Sequence, residues 1–153
     1  MPDAPFDLAK AQRWFAIECN NAAWDLLEKP NRTADETERM LHVAHASVHH
    51  WLTAGNELNR LRGMVLLANV YASAGMGGRA RLYAEKALTL SAAAGDTQTP
   101  FDRATTLAAM AKAHSVSGES SQALEFLGLA QQAAARLDAE DRPVFDQLCP
   151  KLS

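Results

Sequence analysis

The sequence predicts an all-α fold, and three observations carry that expectation. Apolar residues recur with a 3.6-residue period through nearly the whole chain, whereas no stretch alternates apolar and polar residues over more than a few positions. Glycine and proline stand between the periodic stretches, where stop and start signals belong. Hydrophobic residues make up 48% of the chain and aromatics only 7%, so alanine supplies much of the apolar surface and favours closely packed helices.

Seven helices follow in order. The first runs from Asp7, an N-cap after Pro5, to about Lys29, where Pro30 and Asn31 break it. Thr33 with Glu36 three residues on forms a capping box for the second, which ends at Gly55. The third covers about 57 to 74 and stops at Gly75; the fourth follows Gly77 and Gly78 and reaches Gly95. Thr99 and Pro100 supply a cap and a first-turn proline for the fifth, which ends at Gly118. Ser120 or Ser121 is expected to cap the sixth, which fades near Leu137, and a short seventh spans about 141 to 149. Connections this short make neighbouring helices antiparallel. The expected architecture is therefore a seven-helix antiparallel α-hairpin array, with hairpins at about 7–55, 57–95 and 99–137 and a C-terminal capping helix, within one domain over 1–153.

Length and charge bound the function. A chain of 153 residues buries about two-thirds of its unfolded surface and needs no disulfide or metal to hold its core. Its 15 basic and 18 acidic residues are interspersed, so nucleic acid is not the expected partner. Cys19 and Cys149 stand alone, without the spacing of a disulfide framework or a zinc knuckle, and a reducing cytoplasm is the expected location. The N-terminus lacks a leader's apolar segment and no 18-residue apolar run occurs, so neither secretion nor a membrane is expected.

The middle and third hairpins repeat one another. Leu67, Ala68, Tyr71, Gly75, Ala80 and Ala87 are matched in register by Met110, Ala111, His114, Gly118, Ala123 and Ala130, with Leu127 completing the second set. This pattern of small and large residues resembles the tetratricopeptide repeat, in which small side chains let two helices approach and glycine absorbs the turn. Three features depart from that family. Gly75 and Gly118 lie 43 residues apart where its repeat is 34, Met64 and Leu107 replace its early tryptophan, and Ala92 and Ala135 replace its closing proline.

The resemblance implies a fold of stacked hairpins whose first helices line a concave groove for peptides or proteins. Carried over by register, the groove positions are Arg62, Val65, Asn69, Ala72 and Ser73, then Thr105, Ala108, Lys112, Ser115 and Val116. Such a groove is expected to be mildly basic, with Arg62 and Lys112 meeting a carboxylate and Asn69 bonding an extended backbone. Leu66 and Ala109 hold places that asparagines occupy in the family's chaperone-binding clamp, so binding of chaperone tails is not implied.

Four of the five histidines fall in "HVAHASVHH" on the second helix. Leu41, Ala44, Val48, Trp51 and Leu52 form its apolar stripe, whereas Glu38, His42, His45 and His49 line up within about 60° on the flank. Residues seven apart are separated by about 10.5 Å along a helix, so His42, His45 and His49 cannot share one ion. A pair of them would need a further ligand from Glu18, Asp25 or Glu28. The favoured reading is a solvated edge in which Glu38 pairs with His42, with pH-responsive association through this ridge a weaker one. Arg39, five residues and His45 also resemble the motif of the HEPN ribonucleases, although Met40 stands where that motif generally has a polar residue.

In the first helix, "WFAIECNNAAWDLL" is apolar on nearly every face and is expected to sit centrally. Asn20 and Asn21 then need partners, from neighbouring backbone or from a ligand groove shared with Trp14 and Trp24. Trp24 itself is expected in the core. No nucleophile elbow, phosphate loop or His-Glu-x-x-His occurs. The expected function is a non-catalytic module that binds a protein or peptide through Asn20, Asn21, Trp24, Arg62, Asn69, Thr105 and Lys112. No cofactor is expected, and a homodimer is the other mode of association considered. The alternative is a metal-binding or hydrolytic helical protein using His42, His45 and His49.

Overall fold

The computed structural model describes residues 3–152, so Met1, Pro2 and Ser153, the ends of the expected 1–153 unit, lie outside the described residues. Those described form seven α-helices and no strand: α1 (Leu8–Glu28), α2 (Ala34–Ala54), α3 (Glu57–Ser73), α4 (Gly77–Ala94), α5 (Pro100–Val116), α6 (Ser120–Ala134) and α7 (Asp141–Leu148). A short 3₁₀ turn, Gly95–Thr97, leads from α4 towards α5.

The starts of the helices follow local chemistry. Asp7 accepts from the Lys10 amide, and Thr33 and Glu36 satisfy one another's backbone N–H groups, as do Asn56 with Asn59 and Thr99 with Asp102. The expected cap of α6 is corrected: neither Ser120 nor Ser121 caps it, because Glu119 occupies that position and turns its carboxylate to His114 and Arg81 instead. Beyond Ala134, amide bonds to carbonyls three residues back carry a tighter coil through Leu137.

Helices pack pairwise as α1 with α2, α3 with α4 and α5 with α6, and α2 then meets α3 while α4 meets α5. The odd-numbered helices also form a row, α1 against α3, α3 against α5 and α5 against α7. The central helix is α3, whose residues 63 to 70 are all buried. This corrects the expectation for α1, where only Ala16 and Ala23 are buried and Trp14, Phe15 and Ile17 lie at the surface. The apolar residues of α1 exceed what its neighbours α2 and α3 can cover.

A 43-residue correspondence holds in three dimensions. The Gly75 amide donates to Ala72 and that of Met76 to Tyr71; Gly118 and Glu119 repeat this with Ser115 and His114, so both turns are Schellman motifs. The residues that start α4 and α6, Met76 and Glu119, have φ/ψ of −98°/69° and −97°/70°. Even the aromatic stacks correspond, Tyr71 on Tyr83 and His114 on Phe126. The first hairpin is turned differently: Arg32 donates to the carbonyls of Leu26 and Leu27 and reaches Ser73 at the end of α3, doing with a side chain what glycine does in the other two.

Gly75 and Gly118 have φ of +74° and +76°, and a Cβ added at either meets nothing within 4 Å. Substitution there is disfavoured by backbone strain alone, so Gly75→Ala and Gly118→Ala are each expected to lower stability by about 1 kcal/mol. Urea unfolding checks this, with midpoints reduced equally and slopes unchanged.

Candidate functional site

The row of odd-numbered helices bounds a furrow. One cavity of about 550 Å³ is lined by Asn20, Trp24 and Glu28 of α1, Leu61, Arg62 and Val65 of α3, Phe101, Asp102 and Thr105 of α5, and Asp141, Val144, Gln147 and Leu148 of α7. A second of about 300 Å³ takes in Leu27, Ala72, Ser73 and Lys112. Both share Glu28, Gln147 and Leu148, so they adjoin. The floor is α3 and α5, with α1 and α7 as walls.

Two polar links cross the seam between α3 and α5. Arg62 donates from Nε and Nη2 to Oδ1 and Oδ2 of Asp102 at 2.8 and 3.0 Å. Asp102 is buried and also accepts from the Thr99 amide at 3.1 Å. Burial works to raise the pKa of this carboxyl, but the guanidinium and the amide outweigh it and hold the group below its usual range. Forty-three residues beyond Asn69 in sequence, Lys112 Nζ donates to Asn69 Oδ1 at 2.6 Å, and Asn69 Nδ2 donates to the Val65 carbonyl at 2.9 Å, which turns its oxygen towards the lysine. Burial pushes Lys112 down to about 8. An ammonium has three donors, and Asn69 is the one hydrogen-bond acceptor given to Lys112 among the described residues.

Several expected site residues meet here and others do not. Asn20, Trp24, Arg62, Thr105 and Lys112 line the furrow, and Asn69 lies beneath Lys112. Trp24 is thus a half-buried wall residue, packed against the core on one side. Asn21 faces solvent on the outer side of α1, with only a long 3.5 Å contact from Asn20, because successive residues of a helix diverge by about 100°. Thr105 is bonded back to the Phe101 carbonyl at 2.8 Å, which occupies its hydroxyl hydrogen. The mildly basic groove is corrected, since Asp102 neutralises Arg62 and the lining adds Glu28 and Asp141. Asp102 and the α7 wall were missed. The Thr99-x-x-Asp102 spacing was the one local signal for Asp102, and it marks a helix start without revealing an ion pair to a residue 40 positions away.

The histidines do not act as one ridge. His42 and Glu38 are exposed and 3.7 Å apart, a solvated pair. His45 turns inward, with Nε2 at 2.8 Å from the Tyr71 hydroxyl and its ring edge-on to Tyr71 and Tyr83. His49 lies against His50, which in turn bonds Gln12 and stacks on Phe15. No group of three or more His, Cys, Asp or Glu side chains able to hold a metal ion occurs among the described residues. Arg39 is exposed on α2 while His45 is held against the tyrosines, so the arginine and histidine of the HEPN-like spacing face different surroundings. No described helix is long and apolar enough to cross a membrane. No family model, curated protein or solved structure matches the chain.

Lys112 gives a signed pH dependence. Below about pH 8 its amine is charged whether the chain is folded or not, and the full cost of burying that charge is present; between about 8 and its ordinary 10.5 the folded chain releases the proton first and the cost fades. Lys112→Met is therefore expected to be more stable than the parent by roughly 1–3 kcal/mol at neutral pH, less the loss of the Asn69 bond. Chemical denaturation across pH 7 to 10.5 should show that advantage shrinking as the pH rises.

Proposed function

We propose that the chain is a tetratricopeptide-like hairpin array and a non-catalytic binding module, which holds an extended peptide segment of a protein partner along the furrow between α1 and α7. One observation carries this reading: Lys112, half-buried in the floor, donates to Asn69 alone among the described residues, and its ammonium carries three donors. A peptide backbone supplies carbonyl acceptors at regular intervals, and Asn69 already fixes the amine's direction. The walls fit the remainder of such a ligand. Trp24, Phe101, Val144 and Leu148 offer apolar surface for its side chains, and Asn20 and Gln147 offer amides for its backbone. The exposed half of Arg62, held rigid by Asp102, keeps the floor in shape without adding a free positive charge. The 43-residue correspondence of turns and aromatic stacks supports a repeat origin, and the free thiols of Cys19 and Cys149 are consistent with a reducing cytoplasm.

Peptides selected on the folded protein from a random library test the proposal. Fluorescence anisotropy is expected to show that Asn69→Ala and Lys112→Met each weaken the selected peptides by about tenfold or more, the loss that follows when a charge-assisted bond is removed. Lys86→Met, at the Tyr83 surface of α4, should leave affinity unchanged. Equal affinity for all four proteins would place the peptides elsewhere and overturn the assignment.

A further inference from the structure

We infer that the outer face of α1 is a self-association surface, on which a second copy of this chain packs its own α1 antiparallel about a two-fold axis. The first helix sits at the end of the row and packs on α2 and α3, leaving one long side without a neighbour. The end element of a stacked array normally turns a polar face outward. Here Trp14 is 57% exposed, with Phe15 edge-on to it at 5.0 Å and Phe6 beside both, and Ile17 is exposed on the same side of the helix as Trp14. Exposed apolar residues collected in one place mark an interface more often than scattered ones do.

Charge identifies the occupant. At about 100° per residue, Lys10, Trp14, Ile17, Glu18, Asn21 and Asp25 fall within roughly 100° on the side opposite the buried Ala16 and Ala23. The basic residues of α1, Lys10 and Arg13, lie in its first two turns, whereas its acidic residues, Glu18, Asp25 and Glu28, all come later. A helix so divided complements itself only when antiparallel. With the axis between Trp14 and Ile17, Trp14 of one copy meets Ile17 of the other, and Lys10 lies beside Asn21 of its partner, within a turn of that partner's Glu18 and Asp25. A two-fold pair uses the same patch twice, so every such contact forms in duplicate. Neither local contact removes this pattern: Asp7 reaches Lys10 at only 3.7 Å in solvent, and Arg13 lies over the Trp51 ring without losing its charge. The last hairpin shows no equivalent, since α6 exposes Leu124 and Leu129 but has Glu125 as its single charge.

Sedimentation equilibrium over the micromolar range tests the inference on the full chain. The parent is expected to dimerise, and Lys10→Glu and the pair Glu18→Lys with Asp25→Lys are each expected to be monomeric, because each makes the face nearly one sign. Mixing those two variants should restore a dimer, read as the heterodimer mass by native mass spectrometry. Trp14→Glu should abolish the parent dimer while leaving the circular dichroism spectrum helical. A parent monomeric throughout the range, a dimer that survives Trp14→Glu, or charge variants that stay apart when mixed would each overturn the inference. The furrow variants Asn69→Ala and Lys112→Met lie on α3 and α5 and leave the residues of α1 untouched, so the two results are separable.

Discussion

Close approach of helix backbones is the constraint from which the rest of this structure follows. Ala80, Ala84 and Ala87 are fully buried, as are Ala104, Ala111 and Ala113, so the helices meet through methyl groups where larger side chains would hold them apart. At two points even a methyl would crowd its neighbour. A Cβ on Gly63 would lie 3.0 Å from Val48, and one on Gly77 would meet Ser117, including its backbone at 3.2 Å. These contacts enclose α3 among α1, α2, α4 and α5. What polarity α3 and α5 retain on their remaining sides is thereby pressed together along one seam.

The two links across that seam differ in a way that sets the chemistry of the furrow. Arg62 and Asp102 satisfy one another with two parallel hydrogen bonds, and the same carboxylate fixes the start of α5, so this link is a fastening. Lys112 and Asn69 place a cation against a neutral oxygen. Burial disfavours that charge, and no carboxylate among the described residues pairs with it. The wall facing this pair comes from α7, whose Phe145 is buried among Ala104, Ala108, Ala130 and Ala134 and anchors an otherwise exposed eight-residue helix.

How far the sequence could be read depended on whether each signal was local. The ends of α2, α3 and α5 were readable because Thr33, Gly75, Thr99 and Gly118 act within a few residues of themselves. The 43-residue register placed Asn69 and Lys112 at equivalent positions, and in three dimensions the two are bonded. Periodicity does not say which neighbour a face will find. It therefore left unread that α1 ends the row with Trp14 in solvent, that His45 turns to Tyr71 while His42 does not, and that Asp102 answers Arg62. The expected basic character of the groove failed for the same reason, since Asp102 neutralises Arg62 across the seam and two further carboxylates, Glu28 and Asp141, come from helices outside the repeat pattern.

The proposed function stands on Lys112, a half-buried cation bonded to Asn69 whose remaining donors a bound peptide would engage. Its amine can be followed directly by NMR of the ¹³Cε and ¹⁵Nζ signals during a pH titration, first alone and then saturated with a selected peptide. The free protein should titrate near 8 at this residue, and the peptide complex should titrate at distinctly higher pH, because new acceptors stabilise the charged form. An unchanged midpoint in the complex, with the peptide shown to be bound, would contradict the central claim.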